Sequence, residues 1–218
     1  MARYTGPKKR IARRFGLNLF GTANAKKNLN PDKKIRQHPP GMHGAARRKK
    51  KSDYCMQLEE QQKLKAVYGM ISQKQLVNYY KKALAIKGNT VDVFQRLLEC
   101  RLDTVVFRLG LTHTPFAAQQ IVSHGHIQVN GKRVNIRSFQ VKPGDVVSVK
   151  EGSVKKAAFA ELIRASKTQW GGGSELPAYL QSEGEFGGKL IQYPESNDIQ
   201  LSVAINVSTI CEHLAHIT

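Results

Sequence analysis

Residues 101–150 restrict the fold more than any other part of this 218-residue chain, because the hydrophobic period changes from helical to alternating within that one stretch. Leu102, Val105, Val106 and Leu109 fall on one side of a helix, and Arg101 and Arg108 lie along the edge of that stripe. Thr114-Pro115 supplies a cap and a proline at the first helical position. The helix they open, over 115–124, turns Ala117, Ala118, Ile121 and Val122 inward. Its outward face carries Phe116, Gln119, Gln120, Ser123 and His124. Gly125 suits its end. Ile127 and Val129 then alternate into Asn130-Gly131, a strong two-residue hairpin signal, with Lys132, Arg133 and Val134 on the return. Pro143-Gly144-Asp145 makes a second turn before a strand over Val146–Val149. The unit predicted is α+β, a short helix pair followed by a small antiparallel sheet.

Helical spacing dominates upstream. Ser52 or Asp53 opens a helix through about Gly69, with Tyr54, Leu58, Gln61, Leu64 or Lys65, and Tyr68 along one side. Ser72 and Gln75 fit a capping box for a second helix bearing Leu76, Tyr80, Ala83 and Leu84, stopped near Gly88. Thr90 caps a third, with Val93, Phe94, Leu97 and Leu98. These three segments predict a small helical domain over 53–98. Tyr54, Tyr68, Tyr79 and Tyr80 offer faces for base stacking, although tyrosines at helical spacing are more often core. Downstream, 154–166 reads as a helix with Phe159, Leu162 and Ile163 on one face. The glycines and proline between 171 and 188 read as loop and turn. Leu201, Val203, Ile205 and Val207 alternate like a strand, and a final helix over 209–216 is the other reading.

Charge bounds the partner. The chain holds 35 Lys and Arg against 16 Asp and Glu, a formal charge of +19. Such an excess argues for a polyanionic partner and against a self-contained enzyme, with nucleic acid ahead of an anionic membrane surface. No apolar run approaches the roughly 18 residues of a membrane span, and neither a signal nor a transit peptide is expected. Cys55, Cys100 and Cys211 are odd in number and far apart, which fits a reducing cytosol. Residues 1–52 hold 16 basic residues and one acidic, whereas 165–218 hold two and six. That N-terminal quarter includes Arg3, Lys8, Lys9, Arg10, Arg13 and Arg14, then Arg47, Arg48, Lys49 and Lys50. It is too charged and too poor in apolar residues to fold alone. A solvated tail or a nuclear-localisation-like run is the plainer reading; an extended arm that orders against phosphates, releasing counterions, is the sharper one.

The 101–150 surface offers binding chemistry. N–H groups at the start of the second helix suit a phosphate, while the amides, hydroxyl and imidazole behind them suit base edges or ribose hydroxyls. Arg101, Arg108, Lys132, Arg133 and Arg137 complete a basic frame in this reading. A helix pair stacked beside a hairpin suits structured RNA better than a B-DNA major groove.

The order R-L-D-x-x-x-x-R-x-G, Q-x-x-V-S-H-G-H-I-x-V-N-G-x-x-V-N and V-x-P-G-D-x-V-S-V resembles the RNA-binding module of the fourth small-subunit ribosomal protein. MARYTGPK, the run at 52–69, LPAYL and GGKLIQYPE extend the resemblance to the bacterial-type family over nearly the whole chain. The resemblance implies a helical domain over 53–98, completed by 165–218, into which an RNA-binding module over 99–164 is inserted. It also implies direct, early binding to small-subunit ribosomal RNA at a junction in the 5′ domain, nucleating the body of the subunit in the cytoplasm. Proximity to the fifth ribosomal protein, to the channel where messenger RNA enters, and a contribution to decoding accuracy are implied with it. Two departures stand out. Family members commonly carry arginines where this chain has Pro115 and Gln119, which predicts a less basic second helix. Some relatives bind zinc through N-terminal cysteines, whereas residues 1–52 have none, so neither a metal nor another cofactor is expected.

Two other classes share parts of this pattern. Similar modules are attached to pseudouridine synthases and tyrosyl-tRNA synthetases, and Arg101-Leu102-Asp103 resembles the motif around a synthase's catalytic aspartate. Here the motif begins an amphipathic helix and no large catalytic domain flanks it, so Asp103 is expected to cap or pair. A sequence-specific DNA repressor fits less well, because the hairpin follows the helix pair so closely.

Overall fold

A computed structural model describes residues 4–17, 19–20, 38–44, 50–171, 176–199 and 201–217, with the backbone alone at 168–171. The described residues form two units, one within Met1–Lys81 and Leu201–Thr218 and the other within Lys82–Gln200.

The first unit begins with α1 (Lys8–Phe15), which ends at Gly16 in the left-handed region, φ 67°. Arg13 fastens it to the chain beyond by donating from Nε to His38 O at 2.8 Å and from a terminal nitrogen to Pro39 O at 3.0 Å. The arm is thus not extended throughout. Ser52 caps α2 (Asp53–Val67), its hydroxyl accepting from Cys55 N at 3.3 Å. Ser72 does the same for α3 (Gln73–Ala85), accepting from Gln75 N at 3.4 Å. The chain returns in α9 (Val207–Ile217), which packs on α2 and buries Val207, Ile210, Cys211 and Leu214. The alternation at 201–207 makes no strand. Residues 201–206 carry no regular element, and Asn206 instead accepts from Thr209 N at 3.3 Å, capping the final helix. Tyr68, Tyr79 and Tyr80 are core residues, whereas Tyr54 is 62% exposed and meets His213 edge-on.

The second unit contains α4 (Thr90–Glu99), capped by Asn89, one residue earlier than the sequence predicts. It continues through α5 (Leu102–Arg108), α6 (Pro115–Ser123), β1 (Ile127–Val129), β2 (Lys132–Arg133) and β3 (Val146–Val149). Two helices follow, α7 (Glu151–Val154) and α8 (Ala157–Gly171), then β4 (Leu180–Ser182), β5 (Gly187–Leu190) and a 3-10 turn over Ser196–Asp198. Leu162, expected inside, is 61% exposed; Ala160, Ile163 and Ser166 form the buried side of α8.

The five strands make one antiparallel sheet in the order β2-β1-β3-β5-β4, with Val147 opposite both Val129 and Gly188. The limits of 99–164 expected for the module are therefore too narrow, and 165–199 does not complete the helical domain. Only the residues after 200 join the first unit. The physical reason lies at Gly188. A Cβ there would collide with Leu109 Cδ2 and lie 2.8 Å from Gln181 O, so the glycine lets Leu109 reach the sheet. Tyr179, Leu180 and Leu190 then enter the same core as Leu102, Val105, Val106, Ala118, Val122 and Ile127.

Candidate nucleic-acid interface

Thr114 starts α6 as the sequence predicts: Oγ1 accepts from Ala117 N at 3.2 Å, and Pro115 occupies the first turn. Ala118 and Val122 are fully buried, Ala117 and Ile121 half-buried. On the other side Gln120, Ser123 and His124 are exposed, and Phe116 and Gln119 are half-buried. The helix carries no charged residue.

The segment after β2 is tied down by the orphan donors of α5. Leu102 N donates to Phe139 O at 2.9 Å and Asp103 N to Arg137 O at 3.3 Å, while Arg101 bridges to Gln140. Those bonds aim Arg137 at α6, where it donates to Gln119 Oε1 at 3.4 Å. Arg133 lies over Gly125, filling the space a Cβ would need, and donates to His124 O at 3.4 Å. The hairpin turn is of the type Asn-Gly favours, with φ 50° at Asn130 and 76° at Gly131. Asn130 also holds the turn to β3, donating to Asp145 Oδ1 at 2.8 Å and accepting from Val146 N at 2.9 Å. The outward face of α6, Arg133, exposed Lys132 and Arg137 are thus brought together on one rigid frame.

Arg101 and Arg108 are not part of it. Arg101 is 2% exposed and grips Asp103 through Nε at 2.9 Å and a terminal nitrogen at 2.7 Å. Arg108, 9% exposed, holds Glu99 through Nε at 3.1 Å and a terminal nitrogen at 2.7 Å, and Tyr179 donates to the same carboxylate at 3.1 Å. Burial, followed by the Glu99 charge, pushes the Tyr179 hydroxyl well above the usual phenol range. Both arginines, expected on the RNA-facing edge, are therefore internal ion-pair partners. A helical projection places them beside the apolar stripe but does not show that the chain at Gln140 pairs with Arg101 or that Tyr179 joins the Arg108–Glu99 pair.

The sequence reading also passed over Gln128 and Ser148. Pairing puts them in one row with Arg133, and both are half-buried on the face opposite buried Ile127, Val129 and Val147. The alternation of I-Q-V and V-V-S-V was the available signal. In the arm, Lys8, Lys9, Arg10 and Arg14 are exposed on α1 and Arg13 is half-buried; Lys50 is exposed. Arg3, Arg47, Arg48 and Lys49 lie outside the described residues. No helix among the described residues is long and apolar enough to cross a membrane.

Such an arrangement has relatives. Residues 3–99 match the family described as "Ribosomal protein S4/S9 N-terminal domain", and residues 100–147 match the "S4 domain". "Small ribosomal subunit protein uS4" of Protochlamydia amoebophila (strain UWE25) is 52% identical over 219 residues, covering all of both chains. The protein of the same name from Chlamydia trachomatis serovar L2 (strain ATCC VR-902B / DSM 19102 / 434/Bu) is 52% identical over 221 residues, and that from Chlamydia pneumoniae 49%, again over both full lengths.

Proposed function

The chain belongs to the uS4 family of small ribosomal subunit proteins, and from that premise we propose that it is a structural, non-enzymatic part of the small subunit that binds small-subunit ribosomal RNA. The observation that carries the reading is the face built by α6 and the hairpin. Amide, hydroxyl and imidazole groups stand there beside Arg133 and Arg137 on a helix without a carboxylate. Phosphate contacts from the basic side chains position such a surface, and its polar groups meet ribose hydroxyls and base edges. Lys8, Lys9, Arg10 and Arg14 on α1 add sequence-independent attraction. The synthase-like alternative is disfavoured, because Asp103 is 4% exposed and held by Arg101. A buried carboxylate in a two-point ion pair is not available to a substrate.

The finer parts of the reading follow from the family resemblance. The protein binds early at a 5′-domain junction, nucleates the subunit body in the cytoplasm, lies near the fifth ribosomal protein and the messenger channel, and contributes to decoding accuracy. Its domain plan keeps an N-terminal arm, a helical domain and an inserted RNA-binding module, with the module extended to the C-terminal strands. The experiment is sedimentation of the tagged protein from lysate with ribosomal subunits, washed at moderate salt. Co-sedimentation is expected, and loss of residues 2–51 should lower RNA affinity more than any single module substitution. Sedimentation only as free protein would overturn the ribosomal reading.

A further inference from the structure

We propose that Arg133, Lys150 and Lys156 form, around His126, a second phosphate-binding subsite for the RNA backbone, adjoining the outward face of α6 and sharing Arg133 with it, and that filling it is coupled to protonation of His126. The proposal rests on the ribosomal RNA reading and adds a site and a proton to it.

His126 sits just before β1, its ring 4.9 Å from that of Phe159 and its Nδ1 2.9 Å from the hydroxyl of buried Ser153. The backbone holds a lysine beside it: Lys150 N donates to His126 O at 2.8 Å, and Ser153 N donates to Lys150 O at 2.8 Å. From the other side comes Arg133, seated over Gly125, and the His124 ring lies 6.1 Å away. Lys156 is held nearby through the same serine, its N donating to Ser153 O at 3.2 Å. Four places in the chain therefore bring positive or ionisable residues to the neighbourhood of one imidazole: the end of α6, β2, the β3–α7 junction and the α7–α8 joint.

This cluster lacks compensation. Among the described residues, none of Arg133, Lys150 and Lys156 forms an ion pair with a carboxylate. The other charged groups on these elements, Lys132, Glu151 and Lys155, are exposed, as are Glu161 and Arg164 on α8, where Lys167 is half-buried. Burial, then His124, Lys156, Arg133 and Lys150, push the His126 pKa below the usual imidazole range. Cations gathered without counter-charge attract a phosphate and release counterions when they receive one. The same phosphate reverses the field at the imidazole and raises its pKa in the complex.

The sign follows from linkage. With the pKa higher in the complex than in the free protein, binding takes up a proton between the two values. Affinity therefore rises as pH falls through that window and levels off outside it, by at most about tenfold per pH unit for one proton.

The test uses the full-length protein and a small-subunit ribosomal RNA transcript, titrated at several salt concentrations between about pH 5.5 and 8. Lys150→Gln/Lys156→Gln should flatten the salt dependence by up to about two units of slope and remove most of the pH dependence. His126→Gln should remove the pH dependence and keep most of the salt slope. Both lysines are exposed, so the double variant should melt with the wild type, and thermal unfolding checks that it does. Salt and pH dependence both surviving the double substitution would overturn the subsite while leaving the ribosomal reading intact. A wild-type protein that fails to bind the transcript would overturn that reading itself.

Discussion

Replacing Arg108 by Met separates two roles that a basic residue in an RNA-binding module can have. The Glu99 side chain is fully buried and that of Arg108 only 10% exposed, so their pair has left water almost completely. Methionine keeps much of the aliphatic bulk but removes both N–H donors, at 3.1 and 2.7 Å, and with them the positive charge that offsets the buried carboxylate; the Tyr179 hydroxyl still donates to it. Stranding one member of a buried pair costs about 3–5 kcal/mol. Tyr179→Phe, which removes one hydrogen bond to a charged group, should cost about 1.5–3 kcal/mol. Hydrogen exchange at the amides of α4 and α5 measures both, and the milder variant keeps the comparison open if the harsher one unfolds. Glu99→Met/Arg108→Met should recover part of the loss, since neither buried charge of the pair remains. The RNA-binding salt slope of folded Arg108→Met should equal the wild type's. A slope flatter by about one unit, with native stability, would show that Arg108 meets a phosphate and refute the buried-pair argument.

Three further outcomes are expected. Asn130→Ala loses the bonds to Asp145 and Val146 and puts alanine at φ 50°, so chemical denaturation should show a loss of about 1–3 kcal/mol. Gly188→Ala forces a methyl against Leu109 and the Gln181 carbonyl, costing about 1–3 kcal/mol and speeding exchange in β4 and β5, which the milder Gly131→Ala should not do. Burial pushes the Cys100 and Cys211 thiols up to about 12 and about 11, so at pH ~8 a thiol reagent should label half-buried Cys55 first; rapid labelling of Cys100 would contradict its burial.

What was legible in the sequence was local. Ser52, Ser72 and Thr114 cap their helices through hydrogen bonds spanning three residues, and Asn130-Gly131 closes its hairpin with backbone angles those two residues favour. What was not legible depends on partners far along the chain. The G-G-K-L of β5 carries no strand pattern of its own, yet it pairs with β3 because glycine admits Leu109. Arg108 reads as a surface cation until Tyr179, distant in sequence, covers its pair with Glu99. Leu84 and Leu162 fit their stripes by spacing alone and are 53% and 61% exposed.

The sheet order also sets a timetable. β3 ends at Val149, but the strand that hydrogen-bonds its far side begins at Gly187. At a synthesis rate of roughly 5–20 residues per second, a nascent chain carries that edge unpaired for about 2–8 s. For that interval β3 offers a hydrogen-bonding template to any neighbouring strand. The glycine pair that finally closes it thus ends a window of aggregation risk in every round of synthesis.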